Sequence, residues 1–374
     1  MKAKLFKKVL VANRGEIAVR VMRACRELGI ETVAIYSDAD RGAIHARYAD
    51  EAHHIGAAPP AQSYLQLEKI VKLAADVGAQ AIHPGYGFLS ERPELPDACG
   101  AAGVTFIGPP ASAMRALGSK LEARALARSH GVPVTPGSDS LEDPEEAARA
   151  AREIGFPVIV KPSGGGGGIG MKVVEREADL AAAIESCRNA ARASFGDPTV
   201  YVERYVRKPR HVEIQVIADQ HGNVVHLGER ECSIQRRHQK LLEESPSVAV
   251  TDKIRRKMGG VVVDAARAVQ YTNAGTFEFL MDPDGRFYFM EANTRLQVEH
   301  PVTEMVTGID LIKEQIRIAA GQRLSFSQRD VTWRLSPGAS CPSWPPWMLT
   351  PSNPNRPPKA ARTGTAGPRG AGTL

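Results

Sequence analysis

No two cysteines of this chain stand in a C-x-x-C arrangement, and only five occur among its 374 residues. That excludes a disulfide framework and a cysteine-built zinc site. No apolar run approaches the roughly 20 residues that a membrane helix needs. The basic start Met1-Lys2-Ala3-Lys4 leads straight into a short strand pattern and lacks a secretory core. Acidic residues cease after Asp330, whereas Arg334, Arg356, Lys359, Arg362 and Arg369 follow it. The net charge of +6 therefore resides mostly in that tail, and the nearly neutral remainder excludes a basic face for nucleic acid. These absences predict a cytoplasmic chain without nucleic-acid or membrane partners. What is present, 43% hydrophobic and 24% charged residues, is the balance of an ordinary soluble enzyme. The length suffices for two to three domains.

The first hundred or so residues alternate strand and helix patterns. Lys8 to Asn13 reads as a buried strand, Gly15 to Leu28 as an amphipathic helix closed by Gly29, and Thr32 to Tyr36 as a second strand. A helix around Leu65 to Ala75 and strands at Gln80–His83 and Val104–Ile107 follow, which predicts a parallel βαβ domain over residues 1–115. The turn Asn13-Arg14-Gly15-Glu16 lacks G-x-G-x-x-G, so Asp38 has little support as a dinucleotide-ribose ligand. A helical stretch from Leu117 to His130 leads into a second region, 116–333. Its strands (157–162, 171–175, 200–205, 211–218, 275–281, 287–293) come mostly as hairpins, which predicts antiparallel sheets. Residues 334–374, with nine prolines and no apolar period, read as a disordered Pro/Arg-rich tail.

Two constellations carry chemistry. Five consecutive glycines, Gly164 to Gly168, join two strand-like segments just after Lys161. Glycine lets backbone N–H groups approach phosphate oxygens, and no Gly-Lys-Ser/Thr follows to make a P-loop. A merely floppy tip is the weaker reading, because ordering five glycines is costly. The second constellation follows from spacing. With Asp284-Gly285 as a two-residue turn, Glu278 sits directly across from Glu291, whereas a three-residue loop shifts the register by one. Facing carboxylates destabilise a sheet unless something positive lies between them. If the chain stays extended beyond Glu291, then Asn293, Arg295, Gln297 and Glu299 project to the same side. Glu278, Glu291 and Asn293 are hard oxygen donors suited to Mg²⁺, and Arg295 and Glu299 suit an anion and a proton. The alternation His211-Val212-Glu213-Ile214-Gln215-Val216 reads as a half-buried strand and carries no function alone. The cationic cluster Gln235 to Lys240 reads equally well as a solvated loop.

Together these segments resemble the biotin carboxylase family, the ATP-grasp component of acetyl-, propionyl- and pyruvate carboxylases. The resemblance rests on Val11–Ala18, His83-Pro84-Gly85-Tyr86-Gly87-Phe88-Leu89-Ser90-Glu91, Lys161-Pro162-Ser163 with its glycines, Arg210–Gln215, Gln235–Lys240 and Glu291–Glu304, and it runs from about Leu5 to Trp333. It implies an N-terminal Rossmann-like domain and an ATP-grasp domain with a glycine-rich lid at about 135–205. It also implies that Lys120, Lys161, Gly167 and Gly168 hold the ATP phosphates. Glu203, Arg204, Tyr205 and Val206 would form the adenine hinge, with His211, Gln235, His238 and Leu280 completing the nucleotide site. Glu278, Glu291 and Asn293 would bind Mg²⁺ or Mn²⁺. Lys240, Arg295, Gln297 and the Val298 backbone would cradle bicarbonate, with Glu299 as general base and Lys240 and Arg295 beside it in catalysis. Bicarbonate then attacks the γ-phosphate to give carboxyphosphate, which yields CO₂ for biotin N1′. The implied partners are a carboxyltransferase subunit, a biotin carboxyl carrier protein and a second copy of the chain in a homodimer. Among the parents, acetyl-CoA carboxylase serves fatty acid biosynthesis.

The sequence departs from the family pattern at Ile169, a lid position that is usually basic, and after Arg334. There the loss of patterning at a domain start resembles a shifted reading frame replacing a C-terminal domain. No Ala/Val-Met-Lys-Met biotinylation site occurs. The competing functions are an impaired ATP-binding remnant and another ATP-grasp ligase, such as a carbamoyl-phosphate-forming one.

Overall fold

The computed structural model describes residues 3–138, 144–163, 170–236 and 239–333. The run containing Gly167, Gly168 and Ile169, the residue His238, and the tail from Arg334 onward lie outside these described residues.

Short apolar strands Lys8–Val11 (β1), Glu31–Ser37 (β2), Glu51–Gly56 (β3), Ala81–His83 (β4) and Thr105–Phe106 (β5) build a parallel sheet in the order β3-β2-β1-β4-β5. Helices Gly15–Glu27 (α1), Ile44–Tyr48 (α2), Leu67–Asp76 (α3) and Glu94–Ala101 (α4) alternate with them. In α1 the buried positions Ile17, Ala18, Val21, Met22 and Cys25 make one apolar stripe. The strand order reverses between β1 and β4, so the loops following these strands meet. Asn13 joins them, its Nδ2 donating to Pro84 O and Tyr86 O, each at 2.7 Å. The sequence reading overlooked β3, whose Glu-Ala-His-His-Ile-Gly shows neither alternation nor a branched apolar run.

Helices Ala111–Gly118 (α5) and Lys120–Ser129 (α6) follow where one helical stretch was expected. The break falls at Ser119, whose Oγ accepts from Glu122 N at 3.4 Å. Helix Pro144–Ile154 (α7), strands Val158–Pro162 (β6) and Lys172–Val174 (β7), helix Leu180–Phe195 (α8) and strand Val200–Arg204 (β8) form an antiparallel sheet β7-β6-β8 with its own core of Ala147, Ala151, Val158, Val160, Ile184 and Val202.

The third sheet is antiparallel, in the order β11-β10-β9-β12-β13. Its strands are Arg210–Ala218 (β9), Val224–Arg236 (β10), Gln239–Glu244 (β11), Asn273–Met281 (β12) and Phe287–Asn293 (β13). Helix Asp252–Ala268 (α9), capped by Thr251, separates β11 from β12; helices His300–Thr307 (α10) and Leu311–Ala319 (α11) follow β13. Strand β10 went unread because Glu229-Arg230-Glu231 looks solvent-facing, yet all three are buried. Of the cationic cluster, Gln235 and Arg236 end β10 and Gln239 and Lys240 open β11, with Gln235 opposite Lys240.

The β12–β13 hairpin corrects the expected turn. Asp282 N donates to Arg286 O at 2.8 Å, and Pro283-Asp284-Gly285 form a three-residue loop with Gly285 at φ +80°. Phe279 therefore opposes Phe289, one residue off a two-residue hairpin. A bulge then inserts Met290, and Glu278 opposes Glu291 after all.

One apolar core crosses the first and third sheets: Val9, Ile17, Val21 and Met22 pack with Ile217, Leu227, Leu296, Leu311 and Ile316. At its edge Arg20 of α1 pairs with Glu304 Oε1 at 3.0 Å and Asp310 Oδ1 at 2.8 Å.

Candidate active site

Register across the third sheet places four charged residues in a transverse row. Arg230 faces Glu213, Glu213 faces Glu278, and Glu278 faces Glu291. Three carboxylates side by side repel one another unless cations intervene. Lys240 intervenes. From β11 its Nζ reaches Glu213 Oε2 at 2.6 Å, Glu278 Oε1 at 3.1 Å and Glu299 Oε1 at 2.6 Å. His211 Nε2 lies 2.6 Å from Glu278 Oε2, though off the line of a good hydrogen bond. Lys120 Nζ lies 3.1 Å from Glu291 Oε2.

The charges respond to this packing. Burial alone would raise the Glu278 carboxyl, but His211 and Lys240 outweigh it and hold the group well below the usual carboxylate range. Burial likewise pushes Glu299 up, and Lys240 and Arg230 bring it below its ordinary value. Lys240 goes the other way: burial would lower it, and Glu213, Glu278 and Glu299 raise it above the ordinary lysine range. At neutral pH Glu278 and Glu299 are therefore ionised beside the Lys240 ammonium.

The chain does not remain extended beyond Asn293, as the sequence reading required. It turns at Thr294-Arg295 and again at Val298-Glu299 before α10. The predicted residues still converge, because the turn folds them back over β12. Asn293 Nδ2 and Gln297 Nε2 each donate to Glu278 Oε1 at 2.8 Å. Arg295 donates through Nη2 to Asn293 Oδ1 at 3.1 Å and through Nε to Glu91 Oε2 at 2.8 Å. Thr294 N donates to Glu91 Oε1 at 3.2 Å, so the loop after β4 buttresses this turn. Val298 is exposed at the turn's tip.

The expected nucleotide residues fall into two groups. Leu280 opposes His211 across β9 and β12, and Gln235 Nε2 lies 2.7 Å from His211 Nδ1, one step from the charged row. Lys161 and Glu203 lie on β6 and β8 of the smaller antiparallel sheet. There Lys161 Nζ meets Glu203 Oε2 at 2.7 Å, and Arg124 pairs with the other carboxylate oxygen. Burial would raise Glu203, yet Lys161 and Arg124 lower it. Arg204, Tyr205 and Val206 follow at the end of β8, with Tyr205 N donating to Pro157 O at 3.0 Å.

The donor chemistry fits a divalent cation only in part of this cluster. Glu278, Glu291 and Asn293 offer hard oxygens from adjacent strands. Donor atoms of His211, Glu213 and Glu278, and of Glu213, Cys232 and Glu299, also converge within 4.8 Å. Lys240 already stands among these carboxylates as their cation, and the buried Cys232 thiol is pushed up by desolvation, so these sets suit an ammonium better than a metal.

Sequence reasoning missed Glu213, Arg230 and Glu91. The alternation at 211–216 places Glu213 on the face of His211 and Gln215, but its significance depends on β9 lying between β10 and β12. Arg230 is completely buried and donates to Glu213, Gln215, Thr276, Gln297 and Thr303 at 2.6 to 3.3 Å. Removing one partner of such a buried pair typically costs about 3–5 kcal/mol.

A parallel α/β layer, two antiparallel sheets and a carboxylate row with clustered cations define an ATP-grasp enzyme architecture. Residues 5–114 match the family described as biotin carboxylase, N-terminal domain, and residues 119–327 match the carbamoyl-phosphate synthase L chain, ATP binding domain. The chain belongs to the biotin carboxylase family. It is 56% identical over 331 residues to one subunit of the pyruvate carboxylase of Methanothermobacter thermautotrophicus, covering 88% of this chain and 67% of that protein. Biotin carboxylase 1 of Bacillus subtilis is 56% identical over 87% of this chain and 73% of its own length. Relatives named for 2-oxoglutarate and propionyl-CoA carboxylation are 52% and 51% identical. Among solved structures, the biotin carboxylase domain dimer of Hydrogenobacter thermophilus 2-oxoglutarate carboxylase, in complex with MgADP, ADP and bicarbonate, superposes with a TM-score of 0.85 at 52% identity over 88% of this chain and 73% of that chain. The biotin carboxylase of Campylobacter jejuni gives a TM-score of 0.85 at 48% identity, covering 88% of this chain and 74% of that one. No helix among the described residues is long and apolar enough to cross a membrane.

Proposed function

We propose that this chain carboxylates biotin with bicarbonate in an ATP-dependent reaction, the biotin being presented on a separate carrier protein. A homodimeric state, a cytoplasmic setting and a carboxyltransferase partner belong to the same proposal. The supporting observation is Lys240 held between Glu213, Glu278 and Glu299, with Gln297 and Arg295 in the adjoining turn. An anion entering there meets two cations and an amide donor, with an ionised carboxylate beside them.

In this reading Glu278, Glu291 and Asn293 hold the Mg²⁺ or Mn²⁺ that accompanies the nucleotide, and the metal neutralises phosphate charge. Lys120 and Lys161 hold phosphate oxygens, together with Gly167 and Gly168. Glu203 to Val206 form the adenine hinge, and His211, Gln235, His238 and Leu280 complete the nucleotide site. Lys240, Arg295, Gln297 and the Val298 backbone orient bicarbonate, and Glu299 takes its proton. The bicarbonate oxygen attacks the γ-phosphorus as ADP leaves, with the lysines spreading the developing charge. Carboxyphosphate separates into CO₂ and phosphate, the phosphate takes the N1′ proton of biotin, and N1′ captures CO₂. Relatives that serve different final acceptors share this region, which supports placing acceptor choice in the carboxyltransferase.

Calorimetry with MgATP and fixation of labelled bicarbonate into biotin, on one preparation of the full chain, test the proposal. ATP-dependent label in biotin is expected. Nucleotide binding without label supports an impaired remnant, and label only when ammonia replaces biotin supports a carbamoyl-phosphate-forming ligase. Either outcome sinks the proposal.

A further inference from the structure

Arg230 leads the fully buried large side chains, and none of the roles above falls to it. Its guanidinium fills the space between β9, β10, β12, α10 and the turn after β13. Nε donates to Glu213 Oε1 at 2.6 Å, Nη1 to Gln215 Oε1 and Thr303 Oγ1 at 2.8 Å each, and Nη2 to Gln297 Oε1 at 2.7 Å and Thr276 Oγ1 at 3.3 Å. All five N–H groups of a planar fork are thereby spent in five directions.

Two of these bonds decide what the neighbouring site presents. Gln297 can offer either end of its amide. Because Oε1 is taken by Arg230, Nε2 must turn the other way, where it donates to Glu278 Oε1 at 2.8 Å. Glu213 has two oxygens. Arg230 takes Oε1, so Oε2 is left to anchor Lys240 at 2.6 Å. We infer that Arg230 is a positioning residue for the anion site, setting the Gln297 amide with its donor outward and holding Lys240 in place through Glu213. This rests on the bicarbonate-site reading above. Arg230 itself, wholly buried, touches no substrate.

A lysine at 230 keeps the charge but offers a single point of donors, which cannot serve Glu213 and Gln297 at once. The full chain is first saturated with MgADP, whose affinity is read by calorimetry. Binding of ¹³C-bicarbonate is then followed by its NMR line width. Arg230→Lys is expected to weaken bicarbonate by about tenfold or more, the worth of a hydrogen bond to a charged group. MgADP affinity should stay within about twofold, a split that general loosening of the fold would not produce. Equal weakening of both ligands, or unchanged bicarbonate binding, overturns the inference.

Should Arg230→Lys fail to fold, Gln297→Glu decides. A glutamate keeps an acceptor toward Arg230 but sets a second carboxylate against Glu278 Oε1 where Nε2 donated, so the thermal midpoint falls, and with the donor lost bicarbonate binding falls about tenfold or more. Retained bicarbonate binding, or an unchanged thermal midpoint, overturns the inference. Failure of the unsubstituted chain to bind bicarbonate would instead remove the functional reading, and this inference with it.

Discussion

Glu291, placed in the proposed metal site, does little to support the fold. It is half-buried, and among the described residues its one ion partner is Lys120, itself half-buried. An ion pair this accessible contributes about 0–1 kcal/mol. Glu278, buried and bonded to Asn293, Gln297 and Lys240, is embedded far more deeply. Replacing Glu291 by Gln preserves shape and removes charge. Nucleotide turnover in the presence of Mg²⁺ is expected to fall by about a hundredfold or more, as for loss of a preorganised charge. The unfolding free energy should change by no more than about 1 kcal/mol. Wild-type turnover in that variant would take Glu291 out of the metal site.

Among elements, the β12–β13 hairpin does most to assemble the centre. Its turn and its functional pair lie in different registers, separated by the bulge at Met290. A bulge absorbs a one-residue offset locally, so disturbance at the turn need not reach Glu278 and Glu291. Gly285 is in the left-handed region, and a Cβ there would meet only Ile254 Cδ1 at 3.4 Å. The cost of Gly285→Ala is therefore conformational, about 1–2 kcal/mol. Urea unfolding should show that loss while calorimetry finds MgADP affinity within about twofold of the parent. A large drop in affinity would mean that the turn and the site are rigidly coupled.

Buried polar groups join the first and third sheets, and two histidines among them contribute to the response to pH. His83 and His300 are completely enclosed, and burial holds both near a pKa of about 3 against the ordinary 6.5. His300 Nδ1 bonds Gln297 O at 2.8 Å, and Arg20 adds to the cost of charging the ring. Both rings stay neutral in the folded chain while the unfolded chain takes up protons below 6.5. Stability is thus present in full above 6.5 and is lost as pH falls through the window toward 3. Each histidine contributes up to about 1.4 kcal/mol per pH unit there. Urea unfolding at pH 7, 6 and 5 should show this slope, and His300→Gln should remove one histidine's share. Parallel slopes for parent and variant would show that His300 is not held neutral.

Much of this protein was legible in local pattern. The parallel βαβ opening and the antiparallel hairpins follow from side-chain period and turn residues, which are properties of adjacent positions, whereas the strand read beyond Asn293 is a pair of turns. The Glu278–Glu291 pairing was also legible, though through a turn of the wrong length that the bulge made good. Sheet order was not legible. That β9 lies between β10 and β12 is decided by contacts between segments distant in sequence. Only that order turns Glu213 from one polar residue of a half-buried strand into the carboxylate shared by Arg230 and Lys240. Charge density likewise misleads when read locally: Glu229-Arg230-Glu231 resembles a solvated stretch, because the partners that make burial tolerable, among them Arg255, Glu213 and Ser247, come from other elements. The sequence determined which groups would be available. The tertiary structure decided which of them neutralise one another, because the balance between desolvation and pairing exists only once the strands are side by side.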